Sequence, residues 1–330
     1  MKIQRELESL YQGGLPSKTA LQNDPQIKNL AGWLIESTLN SRWQFYRSII
    51  RPVAESGGQI VLCERHPNDT WTASLVQEWR KSSRTAGLSI LISFSAQQQL
   101  LARGDLERIS QEIIPFAASR DWIVATGEAM MVCASGHHFM LSDWKSVRAL
   151  VSCHVCRSEV FKFFPATIAS PVKEAILKGM LVEMASAVAL TKAGGVLFRI
   201  TNKDHLDHYV SLPFHHPISP IEVDAVGDLG ETLLVVECKD IKDPGTLNIT
   251  DIESTASKAN RLINSLGDTI GTNYRLPPRL VIITTGQLHK SLDRERVRLA
   301  KGELSDLPCY VIDQSSLPSI CKRLSEIAIS

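Results

Sequence analysis

Two neighbouring apolar segments, both carrying acidic residues, constrain this chain most. They are Ile221–Val226 and Thr232–Lys239. Alternation of side chains along a strand predicts a β-hairpin in which Glu237 and Lys239 share one face while Cys238 points the other way. Asp224 lies in the first segment and would sit on the partner strand. The fold must therefore bring an aspartate on one strand close to a glutamate and a lysine on the next.

Carboxylates at the end of an apolar strand are costly to bury. An unpaired buried charge is unfavourable, and neighbouring carboxylates repel each other. A divalent cation removes both costs, since Mg²⁺ accepts carboxylate and carbonyl oxygens as ligands. We therefore expect a Mg²⁺ or Mn²⁺ site formed by Asp224, Glu237 and the backbone carbonyl of Cys238, with Lys239 stabilising a phosphate transition state. The alternative is an exposed hairpin whose charges form salt bridges.

The elements predicted around this hairpin give the second half of the chain a definite order. A serine–proline start and a glycine pair bound the first helix. The predicted elements are a helix from Ser170 to about Lys192, strands at 196–200, 221–226 and 232–239, a helix at 250–266, a strand at 279–284, a helix at 291–303, a strand at 309–313 and a closing helix. This is an α/β arrangement with an α-β-β-β-α-β core.

From Ser170 to Asp313, this element order and the residues Asp224 and Glu237-Cys238-Lys239 resemble the PD-(D/E)XK nuclease superfamily, which has the restriction-endonuclease-like fold. The resemblance implies metal-dependent hydrolysis of phosphodiester bonds, with DNA as the preferred substrate. One departure is that no proline precedes Asp224, because Glu222 and Val223 stand there. Glu222 shares the strand face of Asp224 and is a further possible ligand.

The same resemblance suggests roles for residues on two helices. Glu183, in the first helix, matches the glutamate that many members direct at the site, so we expect it to act in catalysis and metal binding. Lys258 and Arg261 lie three residues apart on the helix after the E-x-K motif, on one face. They match the basic or polar residues that contact nucleic acid.

Composition indicates how the rest of the chain is organised. Its 330 residues exceed the roughly 250 at which single cores stop growing, so we expect two domains. All six tryptophans precede residue 150, and Pro165 and Pro171 interrupt any regular element. The predicted domains are 1–165, an α/β regulatory or docking domain with no recognised family, and 166–330, the nuclease-like domain. In the first we predict one helical stretch from about Gln26 to Glu55, helices at 70–80, at 105–118 and from 143, and strands at 59–63, 88–94, 122–125, 129–134 and 138–141.

Net charge, hydropathy and cysteine usage indicate the kind of partner, the cellular compartment and the state of the thiols. The net charge of +1 excludes a globally basic nucleic-acid binder. No apolar run approaches the ~20 residues of a membrane span, and no signal-peptide core is present, so we expect a cytoplasmic protein.

The seven cysteines favour buried thiols in a reducing compartment. Cys153 and Cys156 have zinc-like spacing, but no second C-x-x-C exists, and completing the site would need Cys133 and His137 or His138.

Together these features predict a metal-dependent endonuclease. Fusion of a regulatory domain to such a nuclease resembles prokaryotic antiviral defence proteins, which implies an activating ligand or protein partner at the N-terminal domain. Cutting both strands of a duplex would require a homodimer, because one site cuts one strand. The alternatives are a nuclease-fold subunit that binds nucleic acid and is active only in a larger complex or after ligand activation, and an unrelated α/β protein with a structural hairpin.

Overall fold

The structure is a computed structural model that describes residues 2–13, 16–36, 40–57, 59–63, 89–93, 117, 120–125, 129–133, 135, 137–141, 152–158, 160–201, 203–241, 245–267, 270, 273–292, 298, 302 and 307–329. The described helices are α1 (Lys2–Leu10), α2 (Pro16–Asn23), α3 (Pro25–Ile35), α4 (Asn40–Phe45), α5 (Arg51–Ser56), α6 (Ser170–Leu177), α7 (Met180–Lys192), α8 (Ile249–Leu266) and α9 (Ile320–Ile329). A π-helix at Tyr46–Ile50 joins α4 to α5, and short 3-10 helices lie at Lys290–Leu292 and Leu317–Ser319.

The structure also describes 17 strands. They are β1 (Gln59–Cys63), β2 (Ser89–Ser93), β3 (Ile123–Ala125), β4 (Ala129–Cys133), β5 (His138–Leu141), β6 (Val160–Ile168), β7 (Val196–Leu197), β8 (Ile200–Thr201), β9 (Asp207–His208), β10 (Leu212–Phe214), β11 (Ile221–Val223), β12 (Ala225–Asp228), β13 (Leu233–Lys239), β14 (Thr246–Leu247), β15 (Arg279–Thr284), β16 (Gln287–Leu288) and β17 (Cys309–Ile312). The predicted α/β class is confirmed.

Contacts divide the chain into two compact units. One unit joins Met1–Trp43 to Lys178–Ser330, and the other is Gln44–Leu177. This division differs from the boundary predicted at 165/166, because the first 43 residues pack with the C-terminal half. Ile3 and Leu7 of α1 are buried in the same apolar core as Leu233 of β13, and α3 packs on α7. We call the first the discontinuous unit and the second the central unit.

The discontinuous unit is built on a five-stranded sheet in the order β17-β15-β13-β12-β7. Strands β13, β15 and β17 are parallel, while β12 is antiparallel to β13. One face of β13 carries Leu233 and Val235 into an apolar core that includes residues of α8. Helix α7 packs on the sheet. At Gly227 of β12, an added Cβ would meet Leu190 Cδ2 of that helix at 2.2 Å. The glycine therefore allows α7 to approach the sheet closely.

The helix predicted from Ser170 to Lys192 is two helices in the structure. Gly179 has φ +72°, in the left-handed region, and separates α6 from α7. A residue without Cβ adopts this conformation readily, so the chain changes direction there. The contact boundary between the two units passes through the same point, at Leu177 and Lys178. The helical stretch predicted from Gln26 to Glu55 is also interrupted, since α3 ends at Ile35 and α4 begins at Asn40.

The central unit contains a sheet in the order β2-β1-β6-β4-β5, with β3 also paired to β6. Its predicted strands are confirmed, apart from end residues. Strand β6 was not predicted. The expectation that Pro165 interrupts regular structure is wrong, because Pro165 lies inside this strand. On one side of β6, Pro165 pairs with Val61 of β1. On the other side, β4 pairs with β6 before Pro165 and β3 pairs with it after Pro165, so the proline lies in the gap between these two strands. A residue without an N–H is tolerated at such a gap in the ladder.

The helices predicted at 70–80 and from 143 lie outside the described residues, as do most residues of those at 105–118 and 291–303. Among the helices that the structure does describe, none has the length and apolar character needed to cross a membrane.

Candidate active site

Strand β13 presents two charged residues on one face at its carboxyl end. Glu237 is 4% exposed, and its Oε1 accepts a hydrogen bond from Lys239 Nζ at 2.8 Å. Cys238, between them, points to the other face, where its Sγ lies 3.2 Å from Ser186 Oγ of α7. The alternation expected from a strand is therefore observed. A mainly apolar strand thus ends with a buried carboxylate next to an ammonium group.

Asp224 lies at the junction of β11 and β12, beside the end of β13. Its backbone N–H donates to Val236 O at 3.1 Å, and its carboxylate accepts the backbone N–H of Cys238. Burial, together with the charges of Glu183 and Glu237, raises the pKa of Asp224 well above its usual range. The aspartate is thus held against the E-x-K segment from the neighbouring strand.

Glu183 joins the same group from the first turn of α7. Its Oε2 accepts a hydrogen bond from Ser211 Oγ at 2.6 Å. Burial, reinforced by the charges of Glu222 and Glu237, raises the pKa of Glu183 to about 7, against the opposing effects of Ser211 and Lys18. The structure therefore brings together three buried carboxyl groups. We call Glu183, Asp224 and Glu237 the acidic cluster.

Two lysines balance part of this charge. Lys258 Nζ of α8 donates to Glu237 Oε1 at 2.8 Å, the same oxygen that Lys239 contacts. Burial alone would lower the pKa of Lys239. The negative charge of Glu237, its hydrogen bond with Lys239 and the charge of Asp224 act in the opposite direction and outweigh burial, so the pKa of Lys239 is raised. Both lysine side chains are about one-third exposed, whereas the Glu237 side chain is buried. The two lysines are therefore the more accessible members of this group.

Arg261 and Glu222 bond to residues outside the acidic cluster. Arg261 donates to Ser219 Oγ at 2.6 Å, so it lies on the same helix as Lys258 without joining the contacts to Glu237. Glu222 is exposed and forms an ion pair with Lys18 at 3.1 Å. The backbone carbonyl of Cys238 remains a predicted ligand. The structure thus brings together Glu183, Asp224, Glu237, Lys239 and Lys258, but not Arg261.

Two residues next to the site escaped the sequence analysis. Lys18 of α2 donates to Ser211 Oγ at 2.9 Å, and the serine in turn donates to Glu183. Ser211 has φ +51°, a conformation that non-glycine residues adopt rarely. No sequence pattern connects Lys18 to Glu183, because 165 positions separate them along the chain. Their contact depends on the packing of the N-terminal helices in this unit.

The donor set of the acidic cluster fits a hard divalent cation. Its groups are carboxylate oxygens, the ligands that Mg²⁺ and Mn²⁺ prefer. Burial, together with neighbouring negative charges, raises the pKa of both Asp224 and Glu183, as happens where a neutralising charge is needed. Glu183, Asp224 and Glu237 are therefore the residues that would hold such an ion.

Comparisons with known proteins were made for the whole chain. No protein-family model matches it, and no curated protein matches its sequence. Among solved structures, it is similar to protein VC1899 from Vibrio cholerae, with 14% identity and a TM-score of 0.38 over 92% of this chain and 57% of that one. It is also similar to Can2 from Sulfobacillus thermosulfidooxidans in complex with cyclic tetra-adenylate, with 11% identity and a TM-score of 0.32 over 66% and 46%.

A third similarity is to the DNA modification-dependent restriction endonuclease AspBHI, with 9% identity and a TM-score of 0.19 over 81% of this chain and 78% of that one. The chain spans about half the length of the first two proteins. At these TM-scores the three similarities do not establish a function for this chain.

Proposed function

We propose that this protein is a Mg²⁺- or Mn²⁺-dependent nuclease whose active site is the acidic cluster with Lys239. The observation that carries the proposal is the convergence of three buried carboxyl groups and two lysines at the end of one strand. A purely structural hairpin gains nothing from this arrangement, since burying charge is costly. The contacts that draw Asp224, Glu237 and Lys239 together favour the predicted site over exposed salt bridges.

Each residue has a chemical role in this proposal. Glu183, Asp224 and Glu237, with the Cys238 carbonyl, would hold the cation. When bound, the ion would polarise the scissile phosphate and lower the pKa of a water. Lys239 would stabilise the extra negative charge on the phosphate oxygens as the water oxygen loses a proton to solvent and bonds to phosphorus, while the bond to the leaving oxygen breaks. Lys258, beside it, would add a second positive charge near the phosphate.

The substrate class follows from the charge pattern and the resemblance. Lys239 and Lys258 place accessible positive charge beside the acidic cluster, which suits a phosphodiester backbone. We propose DNA as the preferred substrate, a homodimer for duplex cutting, and a regulatory ligand or protein partner acting through the central unit, in a prokaryotic defence role. Arg261 would contact nucleic acid farther along α8.

A cleavage assay tests this function directly. Wild type and the Glu237→Ala/Lys239→Ala variant would be incubated with supercoiled plasmid, linear duplex, single-stranded DNA and RNA, in Mg²⁺, Mn²⁺ and EDTA. We expect wild type to cut at least the DNA substrates, and EDTA and the double variant each to abolish cutting. Adding Mg²⁺ in excess of EDTA should restore activity. A Lys290→Ala variant, altering an exposed lysine of the same unit, is the matched control.

The second candidate is a nuclease-fold subunit that is active only in a larger complex or after ligand activation. The mutual contacts of Glu237, Lys239 and Lys258 favour it, since they neutralise Glu237 before any cation binds. Pure folded protein that binds Mg²⁺ but cuts no substrate would favour this candidate. Protein that neither cuts nor binds a divalent cation at the acidic cluster would contradict both.

A further inference from the structure

The central unit contains a second group of potential metal ligands, of a different kind. Cys133 ends β4 and His137 precedes β5, while Cys153 and Cys156 lie in the turn before β6. Each pair sits in a tight turn: the Cys133 N–H donates to His137 O at 3.0 Å, and the Cys153 carbonyl accepts the Arg157 N–H at 2.8 Å. Two short turns thus point four soft ligands at one location.

The distances within this group match tetrahedral coordination. Cys133 Sγ lies 3.5 Å from Cys156 Sγ and 3.5 Å from His137 Nδ1, and Cys153 Sγ lies 3.8 Å from the same nitrogen. With Zn–S near 2.3 Å and Zn–N near 2.0–2.1 Å, a tetrahedral site requires about 3.8 Å between sulfurs and about 3.6 Å from sulfur to nitrogen. All four ligand atoms lie within 4.8 Å of one another. A single zinc ion would therefore reach every ligand with little movement.

The surroundings also suit a structural metal. Cys133 and Cys153 are fully buried, and the cluster has few apolar neighbours apart from Val160 among the described residues. Such a small apolar group contributes little to holding the β4–β5 hairpin against the start of β6. The Ser158 hydroxyl, 2.9 Å from Cys156 Sγ, is placed to donate a hydrogen bond to a thiolate.

We propose that Cys133, His137, Cys153 and Cys156 form a structural Zn²⁺ site in the central unit. Four protein ligands fill the tetrahedral sphere, which leaves no open position for a substrate, so the ion would act in folding rather than in catalysis. It would link the turn between β4 and β5 to the turn that leads into β6. The missing half of the zinc-like spacing is thus a C-x-x-x-H turn rather than a second C-x-x-C.

The test uses the full chain, purified without chelators from zinc-supplemented cells, and measures zinc by mass spectrometry of the elements. We expect about one tightly held zinc ion per chain. The Cys153→Ser/Cys156→Ser variant should lose that zinc, whereas Cys321→Ser, which alters a thiol outside the cluster, should retain it. Replacing zinc by Co²⁺ in wild type should produce the visible absorption of tetrahedral cobalt with thiolate-to-metal charge transfer.

The cobalt spectrum needs no variant, so the proposal stays testable if the double variant does not fold. Thiolate charge transfer also separates this site from the acidic cluster, which has only oxygen ligands. Folded wild type without zinc, with the three thiols of Cys133, Cys153 and Cys156 free or with a Cys133–Cys156 disulfide, would overturn the proposal. Unchanged zinc content in the double variant would do the same.

Discussion

The acidic cluster of the discontinuous unit and the cysteine–histidine cluster of the central unit consist of opposite kinds of ligand. The first contains hard oxygen donors with lysines among them, and the second contains three thiols and an imidazole. Lysines that contact Glu237 compete with a cation for the same oxygen, so an ion there would exchange readily. The four soft ligands of the second group would enclose an ion permanently. Under the two proposals, this difference would separate a site that performs chemistry from one that stabilises the fold.

The two groups also differ in how the chain assembles them. The cysteine–histidine cluster uses two turns of five and four residues, close in sequence. The acidic cluster draws Glu183, Asp224 and Glu237 from a helix and two strands, and Lys258 from a further helix. Local turns can preorganise a structural site, whereas the acidic cluster exists only after the sheet and both helices have packed. The predictions below test this distinction.

The largest effect should come from Lys239→Ala. Loss of a charge that stabilises the transition state typically lowers the rate by about a hundredfold to a thousandfold, so we expect cleavage to fall to that extent or beyond detection. The variant should stay folded, and its zinc content should equal that of wild type, since the cysteine–histidine cluster lies in the other unit. An active and folded variant would remove Lys239 from the catalytic machinery.

The next effect concerns the pH dependence of stability without added divalent cation. The folded pKa of Glu183 is about 7, above the ordinary value of 4.5. The folded protein therefore keeps a proton that the unfolded chain loses, and the free energy of unfolding should decrease as pH rises from about 4.5 to 7. The contribution is at most about 3 kcal/mol.

Chemical denaturation at pH 5 and pH 8 measures this effect. We expect Glu183→Gln to reduce the loss of stability at pH 8, and added Mg²⁺ to reduce it in wild type. Glu253→Gln, which alters an exposed glutamate of α8, should leave the pH dependence unchanged. The same pH dependence of stability in wild type and Glu183→Gln would show that Glu183 is not a buried carboxyl group destabilised by neighbouring charges.

Asp224→Asn should weaken binding of Mg²⁺ or Mn²⁺ by about tenfold or more, because a neutral amide is a poorer ligand for a hard cation. Calorimetric titration measures the affinity. Asp228→Asn is the control, since Asp228 lies on the same hairpin and accepts the Gly230 N–H in the turn. Equal affinities for wild type and Asp224→Asn would exclude Asp224 as a direct ligand.

The smallest effect should come from Lys258→Met, which removes one of the two ammonium groups on Glu237. Loss of one charge-assisted contact near the phosphate should reduce cleavage by about tenfold. The matched control is Lys290→Met, at an exposed position of the same unit. Wild-type cleavage by Lys258→Met would mean that Lys258 only balances charge before the cation binds.

Much of the discontinuous unit was predictable from periodicity and turn signals. The apolar run that ends in Glu237-Cys238-Lys239 predicts β13 and the faces of its side chains, and both are observed. Local reasoning was wrong where tertiary pairing decides, as at Pro165, which lies inside β6. It also treated the helix through Gly179 as continuous, although a single positive φ divides it.

The α/β class, the strand that carries the E-x-K residues and the turn with two of the cysteines follow from local sequence, because they depend on neighbours along the chain. Tertiary packing, in contrast, links Lys18 to Glu183 through Ser211, brings Lys258 to Glu237, and adds Cys133 and His137 to the cysteine–histidine cluster. It also joined the first 43 residues to the C-terminal half. Such contacts depend on which apolar faces bury each other, and sequence periodicity shows that a face is apolar without identifying its partner.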